Sequence, residues 1–166
     1  MNYAKWEKTV PAVLQEDLLW KMKVYRYALF LSDICWNDVS ELAQDARTKS
    51  LANQLYRAIG SVRANLEEGY SKQSAKDRAR FYEYALGAAR ESRGWYYRAR
   101  HVLGEEVFDH WAGMLTEIIK MLLTIVPDER GTRICEEAAE YEVKSIWDKE
   151  VPFKKIRITQ YAVRNT

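Results

Sequence analysis

Glycine and proline are scarce in this chain, seven and three among 166 residues. A β-sandwich or barrel needs a turn about every 8–12 residues, and so few turn-formers exclude one. Cysteine is scarcer still. Cys35 and Cys135 make no CxxC pair and no disulfide framework, which points to a reducing compartment. The two histidines, His101 and His110, form neither HxxxH nor HExxH, and no Glu-x-x-His pairs occur. Metal binding is therefore not expected. There is no GxxxxGK[ST] loop and no GxGxxG turn, so nucleotide cofactors have no support. Gly60-Ser61 and Ser71 have no histidine nearby in sequence, and Cys35 lies beside an apolar stripe. No enzymatic activity and no cofactor are expected. The longest apolar piece, Ile118–Val126, is interrupted by Lys120 and Thr124 and falls short of the ~18 residues of a membrane span. The opening MNYAKWEKTV does not resemble a signal peptide. A soluble, cytoplasmic protein with no membrane partner is expected.

What is present is helical periodicity. After a polar lead, residues 1–16, a pattern begins at Asp17: Leu18, Met22, Tyr25, Leu29, Ser32 and Trp36 repeat at alternating four and three. That spacing predicts one buried helix face. Residues 37–48 read as a polar connection. Leu51, Leu55, Ala58, Val62 and Leu66 predict a second helix, with Gly69 placed to end it. Ser74 with Asp77 is an N-cap signal for a third. Its predicted buried stripe is Phe81, Ala85, Ala88, Ser92, Trp95, Ala99 and Val102, and Gly104 closes it. Glu105 and Glu106 open a fourth, carrying Phe108, Trp111, Leu115, Ile118, Leu122 and Ile125, with Pro127 closing it. Of the tryptophans, Trp36, Trp95 and Trp111 fall on the buried stripes, and Trp20 lies off them, open to a partner.

Four helices of about 20–28 residues with short loops pack most simply as an antiparallel up-down-up-down bundle. The predicted organisation is an all-α protein: lead 1–16, four-helix bundle 17–127, and a charged C-terminal extension 128–166. In the extension, Glu136, Glu137, Glu140 and Glu142 suggest an exposed helical stretch. Lys154 to Val163 alternate over a short range, as an edge strand, a docking arm or a tail would.

The net charge is only +2, but it is segregated. Residues 1–46 carry five basic and seven acidic groups; residues 47–100 carry twelve and five; residues 101–166 carry nine and twelve. Ten of the twelve central cations lie from Arg57 onward, and eight of those ten are arginine. Arginine suits bidentate phosphate contact and stacking on bases. On the third helix Tyr82, Leu86, Arg90, Arg93, Tyr97 and Arg100 share a second stripe, predicted to face away from the buried one. Arginine interleaved with aromatic rings suits single-stranded nucleic acid. It equally suits a protein–protein interface, and an ordinary solvated face with Arg90 and Arg93 paired to Glu83 and Glu91.

The segment Arg57-Ala-Ile-Gly-Ser61-Val-Arg-Ala-Asn65-Leu-Glu-Glu68-Gly69-Tyr70 resembles the pattern RAxxSxxxNxxEG[FY] of the helical proteins named for the intervening sequence of 23S ribosomal RNA genes. Ser74, Asp77, Phe81, Ala85, Gly87 and Glu91 are similar to that family's continuation. Two positions depart from it: Ala88 follows Gly87 where the family has serine, and Leu66-Glu67 stand within its Asn-Ile-Ala-Glu-Gly. The resemblance implies a left-handed four-helix bundle assembling as a homopentamer. It also implies kinship with the accessory variability determinant of diversity-generating retroelements, a basic pentamer that binds nucleic acid and partners a reverse transcriptase. On physical grounds the motif residues have structural jobs: Asn65, near the seam of the second helix, to hydrogen-bond across helices, Glu68 to pair with an arginine of the third helix such as Arg78, and Gly69 to permit a positive φ at the helix end.

Two expectations follow. In the first, the protein is a non-enzymatic oligomeric accessory protein binding RNA or DNA backbone through Arg57, Arg63, Lys72, Lys76, Arg78, Arg80, Arg90, Arg93, Arg98 and Arg100. Tyr97 or Tyr82 would stack, and a reverse transcriptase is the implied partner. In the second, the Tyr/Arg stripe is a subunit interface and the extension recruits a protein partner.

Overall fold

The structure is a computed structural model that describes residues 1–131 and 146–152. Six α-helices and two 3-10 turns account for its regular structure, and no strand occurs among the described residues. Two short helices, α1 (Tyr3–Glu7) and α2 (Ala12–Gln15), and a 3-10 turn (Leu18–Lys21) precede four long ones. These are α3 (Lys23–Leu42), α4 (Lys49–Tyr70), α5 (Ala75–Leu103) and α6 (Glu105–Arg130). A last 3-10 turn covers Ile146–Asp148.

The local chemistry explains most of the boundaries. Asn2 and Asp17 accept from the backbone N–H groups of Lys5 and Leu19 at 3.0 and 2.8 Å, so the lead and the first turn each start on a side-chain cap. Thr48 closes the α3–α4 loop by donating to the Leu42 carbonyl at 2.6 Å. Ser74 caps α5 as predicted, accepting from Asp77 N–H at 3.1 Å. A single residue, Gly104, joins α5 to α6 at φ 96° and ψ 160°, a conformation that favours glycine. Pro127 does not end α6. It lies in the last turns, where one lost backbone hydrogen bond is tolerated, and the helix stops at left-handed Gly131, φ 65°.

Consecutive long helices run antiparallel. Tyr25 donates to Glu67 and Trp36 meets Tyr56 between α3 and α4. Tyr82 lies against Gly69 between α5 and α4. Arg78 pairs with Glu129, and Tyr97 meets Phe108, between α5 and α6. The result is a bundle-like core centred on Phe30, Leu31, Leu55, Leu66, Tyr82, Tyr96, Trp111, Met114 and Ile118.

Several sequence expectations are corrected. The α4 stripe is buried at Leu55, Ala58, Val62 and Leu66; of the first-helix stripe Tyr25 is buried and Met22 and Leu29 pack partly against the core, but its two ends do not. Leu18 and Trp36 are each 61% exposed, while Val24, Ala28, Leu31, Cys35, Val39 and Leu42 face the core. Both sets repeat at four and three, so spacing alone could not choose between them. The helix also continues through much of the expected 37–48 connection. On α5, Tyr82 and Leu86 are buried, only 1% and 9% exposed, because the seam runs through Ala79, Tyr82, Ala85, Ala89, Ser92, Tyr96, Ala99 and Leu103. Tyr82 is therefore not available to stack on a base. Trp95 is only half-buried.

Gly69 has no positive φ. It is buried because a Cβ there would lie 2.7 Å from Tyr82 Cε1 and 3.0 Å from Phe81 Cβ. The glycine admits the neighbouring helix rather than ending its own. Asn65 bonds within α4, to the Ser61 carbonyl and hydroxyl at 2.8 and 3.0 Å, not across helices. Glu68 pairs with Lys72, and Arg78 with Glu129.

The lead is not merely polar. Trp6 is buried and donates to Asp33 at 2.6 Å. Its neighbour Trp20 stacks on it at 6.5 Å. Residues 146–152 return to this end: Trp147 stacks on Tyr27 at 3.5 Å, the Val151 amide donates to Met1 O at 3.0 Å, and Glu150 pairs with the Met1 amino group and Lys5. The expected features at Glu136–Glu142 and Lys154–Val163 lie outside the described residues.

Candidate nucleic-acid interface

The central cations divide by what holds them. Arg63 pairs with Glu67 one turn on, and Glu67 also accepts from Tyr25. Arg78 is fastened at 2.9 Å to Glu129 and to the Lys72 and Gln73 carbonyls. Lys72 pairs with Glu68 at 3.0 Å and lies over Phe81. Arg80 reaches Asp77 at 3.5 Å and also lies over Phe81, 5.5 Å from the ring centre. Arg93 and Arg100 flank the buried seam of α5. Arg93 donates to Thr116 at 3.1 Å, and Arg100 to Glu105 at 3.2 Å, with its guanidinium 3.7 Å from the Tyr97 ring centre. These six have structural occupations.

Arg57, Lys76 and Arg90 are exposed and have no hydrogen-bond or ion-pair partner among the described residues. Arg98 is exposed and rests on the face of Trp95 at 5.1 Å, a cation–π contact that leaves its N–H groups outward. Lys76, Arg80, Tyr84, Gly87, Arg90, Glu91, Gly94, Tyr97, Arg98 and His101 line the exposed side of α5. At 1.5 Å per residue that ridge is about 37 Å long. Tyr97 is 53% exposed on it. Glu91 accepts from Trp95 at 3.0 Å. Arg57 lies on the neighbouring α4. With Gly69 level with Tyr82 in the antiparallel pair, Arg57 falls level with the Gly94–Arg98 part of the ridge.

Beneath this surface lies a buried polar pair. Asp38 of α3 accepts from Tyr96 of α5 at 2.8 Å. The Trp111 indole N–H leans on the same carboxylate without reaching hydrogen-bond geometry. Burial pushes the Asp38 carboxyl up to about 6, although the Tyr96 hydroxyl pulls the other way. Burial likewise raises Tyr96 far above its ordinary range and pushes Cys35 up to about 12, so Cys35 is an inert thiol. His110, on α6, is buried with Nε2 unpartnered. Burial first, and Lys149 second, hold it down to about 4. No cluster of three His, Cys, Asp or Glu among the described residues is arranged to hold a metal ion. No described helix is long and apolar enough to cross a membrane.

Sequence reasoning missed one surface feature. Trp36 and Tyr56 form an exposed edge-to-face pair between α3 and α4, ring centres 6.0 Å apart. Assigning Trp36 to the core hid it. The available signal was Tyr56, which lies off the buried stripe of α4 and next to Arg57.

Comparison with known proteins places this geometry in a lineage. The family described as 23S rRNA-intervening sequence protein matches residues 20–124. The chain is also similar to a crystal structure of a protein of unknown function from the S23 ribosomal protein family of Bacteroides thetaiotaomicron. The two share 24% identity at a TM-score of 0.57, over 62% of this chain and 97% of that one. At that identity the likeness speaks for the fold alone. No curated protein matches the chain.

Proposed function

The chain belongs to the 23S rRNA-intervening sequence protein family, and from that premise we propose that it is a non-enzymatic, cytoplasmic accessory protein that binds RNA. The proposed scaffold is an up-down-up-down bundle of α3–α6, five copies of which form a ring. The proposed client is a reverse transcriptase. The observation that carries RNA binding is the set Arg57, Lys76, Arg90 and Arg98, exposed on α4 and α5 with no carboxylate partner among the described residues. Spread along the ridge at intervals, such cations attract a polyanion, whose phosphates release counterions as they are neutralised.

The test is RNA binding as a function of salt. Fluorescence anisotropy with a single-stranded RNA should show log K falling linearly with log salt. The triple variant Arg57→Gln/Arg90→Gln/Arg98→Gln should lower that slope by about 2, at roughly 0.7 for each phosphate no longer neutralised. Arg78→Gln, which breaks an internal tie, should leave it unchanged. Low-salt affinity no tighter than that of a neutral control protein overturns the reading.

One observation favours a second reading, in which the α5 ridge is a contact between copies. Gly87 and Gly94 sit mid-helix on the exposed side, and nothing among the described residues lies within 4 Å of where a Cβ would be. A neighbouring helix approaching closely would use that space. Light scattering on Arg90→Glu and Tyr97→Ala separates the readings. Dissociation supports the subunit contact; an intact oligomer with weakened RNA binding supports the first reading.

A further inference from the structure

Trp36 and Tyr56 contribute nothing to the core. They are 61% and 46% exposed, and neither belongs to the buried cluster or to the hydrophobic residues packed against it. They border a cavity of about 200 Å³ between α3 and α4, whose floor is the buried Val39 and Ala52, with exposed Ala43 at its margin. Its third wall is Asn53, exposed, with an amide that has no partner among the described residues. The Ser40 hydroxyl at the edge donates back to the Trp36 carbonyl at 2.6 Å and is already satisfied.

Two cations flank the cavity on α4. Lys49 precedes Asn53 by one turn, and Arg57 follows it by one turn; both side chains are exposed and unpartnered among the described residues. Eight residues separate them, about 12 Å along the helix axis.

We infer that this groove takes an unpaired nucleobase of a single-stranded RNA, whose phosphates on either side meet Lys49 and Arg57. The inference rests on the RNA-binding reading above and adds to it a base site on a different pair of helices from the α5 ridge. Each element has a chemical job. The exposed Trp36 and Tyr56 rings, set edge-to-face, offer an aromatic surface for stacking, which every base can use. The Asn53 amide offers one acceptor and two donors to a base edge. Ala52 in the floor, with no side chain beyond Cβ, leaves depth for a flat ring. Unpaired bases are the parts of RNA that proteins read by stacking, because a duplex keeps its bases stacked on one another. A protein partner suits the groove less well. A docking helix would bury Lys49 and Arg57, which have no carboxylate partner among the described residues, and lysine is depleted from interface cores. The charge of the rim instead complements a polyanion.

The experiment uses the full chain, a fluorescein-labelled 15-nucleotide oligouridylate, and a perfectly paired RNA duplex of the same length, by anisotropy across one series of salt concentrations. Trp36→Ala and Tyr56→Ala should each weaken oligouridylate binding about 5- to 100-fold, the range for loss of one stacked base. Duplex affinity and the salt slope should stay at wild-type values. Trp36→Phe should recover most of the loss, which separates stacking from any damage to the fold. Equal binding of oligouridylate by wild type and both alanine variants overturns the base site while the RNA reading stands. No salt-dependent RNA binding by wild type overturns both. A change in light-scattering mass in Trp36→Ala overturns the base site in favour of a contact between copies.

Discussion

The α4–α5 seam and the α3–α6 seam are built in opposite ways. In the first, two long helices touch directly, and the ring of Tyr82 lies on the bare backbone of Gly69. In the second, the helices approach each other at far fewer places. The space between α3 and α6 is filled by rings: Phe30 and Trp111 with centres 6.5 Å apart, and Trp147 stacked on Tyr27 and edge-on to Phe30. Tyr3 of the lead adds its edge to Tyr27 and Phe30. Here too a glycine makes room, since Gly113 of α6 receives the side chain of Ile146. The same device serves two purposes. One notch joins helix to helix inside the bundle-like core. The other seats the returning segment 146–152 on its outside. Direct packing of continuous helices ties stability to every turn, whereas padding by short segments can detach piecemeal.

That contrast yields the largest expected effect. Gly69→Val places branched carbon where only 2.7 Å separates a Cβ from the Tyr82 ring, and the ring is walled in by the core. Overpacking of this kind costs about 1–3 kcal/mol, sometimes more, and urea denaturation should show a matching drop in midpoint. Gly113→Val meets the far end of Ile146, a side chain that can leave. Global stability should change by less than about 1 kcal/mol, while amide exchange at Val151 accelerates because its bond to Met1 O opens. Equal losses in the two variants would show that the padded seam is as integral as the direct one.

Protonation separates the bundle interior from the padded side. Asp38 lies in the interior between α3 and α5, with its folded pKa raised from 3.8 to about 6. The folded state therefore holds a proton more tightly than the unfolded chain. Stability from this group is full below pH 4 and is lost as pH rises through 6. His110, next to Lys149 of the returning segment, is lowered from 6.5 to about 4. Its sign is opposite: the unfolded chain takes up the proton first, and stability is lost as pH falls from 6.5 towards 4. Each shift corresponds to at most roughly 3 kcal/mol, and in the wild-type protein the two oppose each other between pH 4 and 6.5. Single variants unmask them. Asp38→Asn, which keeps an acceptor for the Tyr96 hydroxyl, should become less stable on acidification relative to wild type. His110→Phe should become more stable. Parallel pH profiles of urea midpoints for wild type and both variants would refute the assignment.

The legibility of the sequence followed the same division. The α4 stripe could be read because this helix has one apolar face, and its Leu55–Val62–Leu66 series has no rival. The α5 cap at Ser74 was equally legible, because cap chemistry is local. On α3 two apolar series repeat at the same period, and only the packing of Phe30, Leu31 and Cys35 against the other helices decides which faces inward. The lead looked polar by composition, yet Trp6 is buried because Asp33, far along the chain, satisfies its indole N–H. Arg93 and Arg100 could not be separated from Arg57 and Arg90 by sequence, since their partners Thr116 and Glu105 belong to another helix. The candidate surface was therefore legible as a charge total but not as a set of free side chains.

The smallest effect concerns glycines that admit nothing. Gly87 and Gly94 lie in mid-helix with open space around each absent Cβ, so nothing among the described residues explains them. Gly87→Ala removes backbone freedom from the unfolded chain and should stabilise the protein by about 0.5–1 kcal/mol. Gly69→Ala, into a closed notch, should do the reverse, and the difference in sign is the sharpest measure of what each glycine is for. The same Gly87 variant also bears on the α5 ridge. If another copy or an RNA backbone uses the missing methyl's space, the stabilised chain will show a lower light-scattering mass or weaker RNA binding than wild type. If both stay at wild-type values while the urea midpoint rises, the ridge is approached less closely than the glycines permit, and its exposed cations act at longer range.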